Sequence, residues 1–294
     1  MILYGLASTA CGVMDLIWRD FDRAHQPIQA FGDHIPGREI LAYITAVVMV
    51  VGGVAILWRR SARAGAAGLA IIYFIFTIFW LPRLFTAPAF LGYRITVYVG
   101  VLAGVGMELI AFAGGALVYA ALATNSPSST QWPQWPRAIQ IARWIFGLCS
   151  IDFGLNHLLN VQDNLIYAPK WMPFGPEFWV ILTGICFVLA GVAILTGIQD
   201  VLAARLLALM FLAFNLFALP QFIFANPHEH AAWGGNAFNL ALVAVNWILA
   251  DALASRRREM QSQQGERGLA IPHYARDNPR CVNRVGTQTT PSPD

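Results

Sequence analysis

Apolar residues in this chain come in blocks of about twenty, the length that carries a helix across the hydrocarbon core of a bilayer. Eight such blocks occupy residues 2–18, 39–58, 65–86, 97–122, 141–159, 177–198, 202–224 and 235–254. The hydrophobic share of 57% and the charged share of 12% agree with that pattern. Soluble domains carry about 25% charge to cover their surface, so a soluble enzyme is excluded. The expected fold is an all-α polytopic membrane protein of eight transmembrane helices, with the lipid bilayer as its first partner. The 294 residues divide into a first four-helix unit (1–123), a linker (124–140), a second four-helix unit (141–254) and a disordered cytoplasmic tail (255–294). The linker is rich in Ser, Pro and Gln, and its Trp132 and Trp135 suit the membrane interface. The tail has no apolar periodicity.

An internal repeat underlies the two units. Residues 39–88 match 177–226 without gaps at sixteen of fifty positions, including the run Gly53-Val54-Ala55-Ile56-Leu57 against Gly191-Val192-Ala193-Ile194-Leu195, and Leu81-Pro82 against Leu219-Pro220. A shift of 137 sets Asp15 on Asp152, and one of 131 sets Glu108 on Asn239. Four helices per copy is an even number, so both copies enter the membrane from the same side and run parallel. Nine Arg lie near helix ends on one side, against five Arg and Lys170 on the other, which puts both termini inside, in the cytoplasm of a bacterium with these spans in its plasma membrane. The first block lacks a charged leader and reads as a retained helix. The net charge of +3 gives no reason to expect nucleic acid as a partner.

Short motifs give the chain a resemblance to the DoxX family of small bacterial membrane proteins. The second unit carries it in Phe153-Gly154-Leu155-Asn156-His157-Leu158, Pro169-Lys170-Trp171-Met172-Pro173, Leu182-Thr183-Gly184 and Ala203-Ala204-Arg205-Leu206-Leu207. The first unit carries it more loosely, in Gly12-Val13-Met14-Asp15-Leu16, Ile35-Pro36-Gly37 and Leu81-Pro82-Arg83. The resemblance covers about residues 1–254. It implies a four-helix bundle for each unit, and a membrane subunit of a quinone-linked redox complex with quinone as the candidate cofactor. A typical member has one unit; this chain has two.

Ionisable groups inside spans are costly and need partners or a wet cavity. The candidate polar site comprises Asp15, Arg83 and Glu108 in the first unit, with Asp152, Asn156, His157 and Asn239 in the second. Glu108 shares a helix face with Gly104, Ala111 and Gly115, small residues that turn it into the bundle. The long side chain of Arg83 reaches Asp15 more easily than Glu108. A proton-carrying role competes with plain interhelical stapling for each of these groups. His157, His228 and His230 face one side in this topology and are weak metal candidates, because no third ligand is fixed by spacing; no metal site is expected. Cys11, Cys149 and Cys186 lie in apolar blocks, no Cys-x-x-Cys occurs, and no nucleotide-binding motif is present.

Three functions therefore compete: a subunit of a quinone-linked redox complex, acting with a membrane redox partner; a small-molecule or proton transporter; and a structural or assembly protein without catalysis. Whether the chain is an enzyme is left open by its sequence.

Overall fold

The computed structural model describes residues 1–26, 36–124 and 134–277, and among them every regular element is helical. The helices are α1 (Ile2–Trp18), α2 (Arg38–Ile56), α3 (Ala62–Trp80), α4 (Arg83–Leu91), α5 (Ile95–Thr124), α6 (Gln134–Leu159), α7 (Val161–Asn164), α8 (Pro176–Thr196), α9 (Asp200–Ala213), α10 (Pro220–Ala225) and α11 (His230–Asp277). A 3₁₀ turn, Leu165–Tyr167, follows α7, and a π-helical turn, Phe214–Ala218, joins α9 to α10.

Among the described residues, seven helical stretches are long and apolar enough to cross a membrane: Arg38–Ile56, Ala62–Leu91, Ile95–Ala123, Pro136–Leu159, Pro176–Thr196, Asp200–Ala225 and His230–Gln264. The chain is thus an all-helical protein of the multi-pass membrane type. Eight spans were expected; the difference is α1, which is apolar but only 17 residues long. The two proline pairs act alike. Helix α3 gives way at Leu81 and α4 starts after Pro82, while the π turn gives way at Leu219 and α10 starts at Pro220. Proline lacks the amide hydrogen that would continue the ladder and crowds the preceding turn.

Chain contacts form two units, Met1–Leu253 and Ala254–Asp294. In the second, residues up to 277 are helical, where an irregular tail from residue 255 was expected. The Arg, Glu, Gln and Met of this stretch are good helix formers even without an apolar face. Trp132 and the side chain of Trp135 lie outside the described residues.

Close backbone approach sets the helix crossings of the first unit. A Cβ on Gly5 would lie 2.6 Å from the Gly53 carbonyl oxygen, and one on Gly12 would lie 2.6 Å from that of Ala46, so α1 and α2 pack backbone to backbone. Helices α6 and α8 repeat this: a Cβ on Gly191 would meet the Gly147 carbonyl at 2.6 Å, and one on Gly154 would meet that of Gly184 at 2.6 Å. Without a hydrophobic drive between helices in lipid, such small-residue contacts supply the packing. Helix α5 bridges towards α6, with Gly106 against Cys149 and Phe153, and Gly114 against Val245 of α11.

Candidate functional site

The site starts in the loop after α1. Arg19 ends the helix in the left-handed region, at φ 55°. The chain then turns back into the bundle and buries Phe21, Asp22 and His25. Asp22 donates its amide to Asp15 Oδ1 at 3.0 Å and accepts the Ala24 amide on Oδ2 at 2.9 Å. Its carboxyl presses on Gly234 of α11, where a Cβ would lie 2.6 Å from the carboxyl carbon. Arg38 holds the rim through Asp20, with Nε donating to Oδ1 at 2.6 Å. Trp80 Nε1 donates to the Ala24 carbonyl at 2.6 Å, and Arg83 donates to that of Gln26 at 2.7 Å.

This folding-in puts the His25 imidazole, fully buried, between two carboxylates. Nδ1 is 3.8 Å from Asp15 Oδ2, and Nε2 is 4.0 Å from Glu108 Oε1. The ring stacks on Phe76 at 4.6 Å and 17°, and meets the edges of Phe238 at 5.0 Å and Tyr73 at 6.1 Å. On its other oxygen Asp15 faces His230 Nε2 at 3.1 Å, and the His230 ring stacks on Trp18 at 5.1 Å. Burial works against the charged imidazolium of His25, but Glu108, Asp15 and Asp22 outweigh it and raise its pKa to about 9. Burial also raises the Asp22 carboxyl, with His25 pulling against that.

Beside this cluster lies a cavity of about 1030 Å³. Glu108 and Trp80 form part of its wall, and the rest comes mainly from the later helices: Phe153, Phe187, Phe211 and Phe214, with Asn156, His157, Thr183 and Asn239 as polar points. His157 Nδ1 lies 2.9 Å from Thr183 Oγ1. Asn239 Nδ2 donates to the Phe211 carbonyl at 2.7 Å and to Asn215 Oδ1. Asn156 Oδ1 accepts from Asn160 Nδ2 at 2.9 Å.

The expected residues are thus distributed as follows. Asp15 and Glu108 come together, but through His25, which the sequence reading passed over. Its only sequence signal is a histidine among charged loop residues next to a helix end. Arg83 does not form the anticipated link to Asp15 among the described contacts; its guanidinium stacks on Trp80 at 3.8 Å and bonds Gln26. His157 and Asn239 line the cavity with Glu108, whereas Asp152 does not.

The pairing of Asp15 with Asp152 also changes. Gly147 and Gly154 make the contacts that Gly5 and Gly12 make, so His157, three residues past Gly154, corresponds to Asp15, three past Gly12. The three histidines fall into different surroundings: His157 bonds Thr183, His230 faces Asp15, and the His228 carbonyl accepts from Trp18 Nε1 at 3.1 Å. Among the described residues, no three His, Cys, Asp or Glu side chains are arranged to hold a metal ion.

Comparison of the chain with protein-family models, with curated proteins and with solved structures returns no match.

Proposed function

We propose that this chain is a quinone-binding membrane subunit of a redox complex, built on two DoxX-like four-helix units. In this reading eight helices span a bacterial plasma membrane as two parallel copies, α1 included, with both termini in the cytoplasm. The observation that carries the functional part is the cavity. At about 1030 Å³ it has room for an aromatic head group and part of an apolar tail, and its walls are mostly aromatic and aliphatic. A few convergent polar groups in a large apolar cavity are the usual form of a small-molecule site.

The residues fit such a ligand. Glu108 lies on the cavity wall, and neither of its carboxylate oxygens has a hydrogen-bond partner among the described residues. His25 stands behind it and Asp15 behind His25, so a proton held at Glu108 has two further titratable groups in reserve. A bound quinone would supply the electron chemistry. The chain supplies the apolar enclosure, the polar points and the proton-holding groups. Electrons come from a partner dehydrogenase, since the sequence offers no cysteine cluster or nucleotide fold of its own.

Titration of the purified full chain in nanodiscs with decylubiquinone tests this, read by quenching of the cavity tryptophans Trp80 and Trp179. Saturable quenching in the micromolar range is expected; quenching that rises linearly with partitioned ligand rejects the reading. A second reading, proton or small-molecule transport, is favoured by the buried Asp15, His25 and Glu108 series. Pyranine-loaded proteoliposomes with a pH step would reveal it as protein-dependent proton flux.

A further inference from the structure

The two halves of the bundle treat the same place differently. In the first half a planar ring fills it: the imidazole of His25 lies on Phe76, with the edge of Tyr73 beside it and the carboxylates of Asp15 and Glu108 at its two nitrogens. Both carboxylates are acceptors only, so the ring that suits them carries N–H donors on both edges, as protonated histidine does.

In the second half the corresponding residues surround the cavity. The ungapped match sets Phe214 on Phe76 and Phe211 on Tyr73. The glycine contacts set His157 on Asp15, and the helix match sets Asn239 on Glu108. All four line the cavity. No side chain of the loop between α6 and α8 is among the described ring contacts of Phe214; its partners are His157, parallel to it but displaced at 6.4 Å and 24°, Phe187 and Phe211, and no described ring approaches it as closely as the 4.6 Å of His25 on Phe76.

The hydrogen bonds of these residues fix what they offer. Thr183 donates its hydroxyl to the Trp179 carbonyl at 2.8 Å, so towards His157 its oxygen accepts, and Nδ1 of His157 carries the proton. His157 also bonds the Val180 backbone; with Nδ1 carrying the proton, Nε2 is the acceptor of the neutral ring. Asn239 spends its amide hydrogens on the Phe211 carbonyl and on Asn215, which leaves its carbonyl oxygen, without a described hydrogen bond, as the other acceptor. Two charged acceptors in the first half thus become two neutral acceptors in the second.

From this we infer that the cavity selects the reduced form of its ligand: a neutral aromatic diol, stacked on Phe214, with one hydroxyl donating to His157 Nε2 and the other to Asn239 Oδ1. The inference rests on the proposed quinone-binding reading and adds a redox preference to it. An oxidised quinone carries only carbonyl acceptors on those edges and would leave acceptor facing acceptor. An unmade hydrogen bond among mostly apolar walls is costly, so the preference is expected to be about tenfold in affinity.

The test measures decylubiquinol, kept reduced under argon, against decylubiquinone on the full chain in nanodiscs by tryptophan quenching. Tighter binding of the quinol, with the quinol-over-quinone affinity ratio falling towards one in both His157→Phe and Asn239→Leu, is the expected result. A readout without substitution accompanies it: in ¹⁵N-histidine-labelled protein the His157 Nε2 resonance should move on adding quinol, while that of His25 stays. Equal or tighter binding of the quinone, or a still His157 resonance on quinol binding, overturns the inference and leaves the quinone-binding reading standing. Absence of saturable binding by either form rejects both.

Discussion

Residues 1–124 and 134–253 share two glycine crossings and a proline break, yet the first stretch packs a loop with buried Asp22 and His25 into its core and the second lines most of a cavity. The loops account for the difference. After α1 the chain folds inward, and Phe21, Asp22 and His25 become core residues. After α6 the chain runs through a short helix and a 3₁₀ turn and leaves Trp171 and Phe174 largely exposed, at 69% and 80%. Where the loop enters, ionisable residues surround it: Asp15, Glu108 and Arg83. Where it stays out, His157, Asn239 and Gln221 stand in their places. The inward loop thus brings its own buried ionisable group, His25, to the acids that face it, as the cost of an isolated ion in a low-dielectric interior favours.

The sharpest break of this comparison removes the answering charge. His25→Ala leaves Asp15 and Glu108 buried with an empty volume between them. Removing one partner of a buried ionic set costs about 3–5 kcal/mol, and thermal unfolding of the purified variant in detergent should show a loss of that order. Adding Asp15→Asn and Glu108→Gln to His25→Ala should recover part of it. A His25→Ala protein as stable as the parent would mean that the carboxylates are neutral or solvated and the two halves are electrostatically alike.

The converse change charges the hollow half. Asn239→Asp puts a carboxylate where no described cation answers it. An acidic residue at such depth costs about 3 kcal/mol, and reduced stability in the same unfolding assay is expected. Glu108→Asn, the reverse exchange, takes one carboxylate from His25 but leaves Asp15 and Asp22 facing the ring, so it should cost less than His25→Ala.

A pH series sharpens the comparison without substitution. The His25 pKa is raised to about 9 from 6.5. A group raised on folding contributes stability fully below its unfolded value, and the contribution fades as pH rises through its folded value. Melting temperature should therefore fall between about pH 6.5 and 9, and the fall should be absent in a His25→Asn variant that still folds. An unchanged pH profile in that variant would assign the titration elsewhere.

How much of this was readable in the sequence differs by level. Apolar block length marked every long helix, because span length is a local property, and Leu81-Pro82 and Leu219-Pro220 marked the breaks for the same reason. Helix α1 was readable as apolar, though 17 residues leave it below span length by the measure that the other seven meet. The inward course of the loop was not readable. Residues 19–26 hold Arg19, Asp20, Asp22, Arg23 and His25, a composition that looks solvated, and only tertiary partners on α1, α3, α5 and α11 make the burial of Asp22 and His25 tolerable. The match of Asp15 to Asp152 failed for another reason. Apolar helices resemble one another at many shifts, and only the backbone approaches of Gly5, Gly12, Gly147 and Gly154 settle which shift the packing uses.

Trp80 joins the two halves and sets the smallest effect. It ends α3 in the filled half, its Nε1 holds the inward loop at the Ala24 carbonyl, and its ring forms part of the cavity wall. Gly104 on α5 leaves the space the ring occupies, since a Cβ there would collide with it. Arg83 stacks on the same ring at 3.8 Å. Trp80→Phe keeps an aromatic ring but removes the hydrogen bond to the loop, at a cost of about 1 kcal/mol. The bundle should stay folded, with amide hydrogen exchange rising in residues 20–26 and little change in α6 or α8. If exchange rises equally in both halves, Trp80 supports the whole bundle. If it rises in the loop alone, the inward loop is held locally, and the filled half owes its filling to a few contacts that the second half lacks.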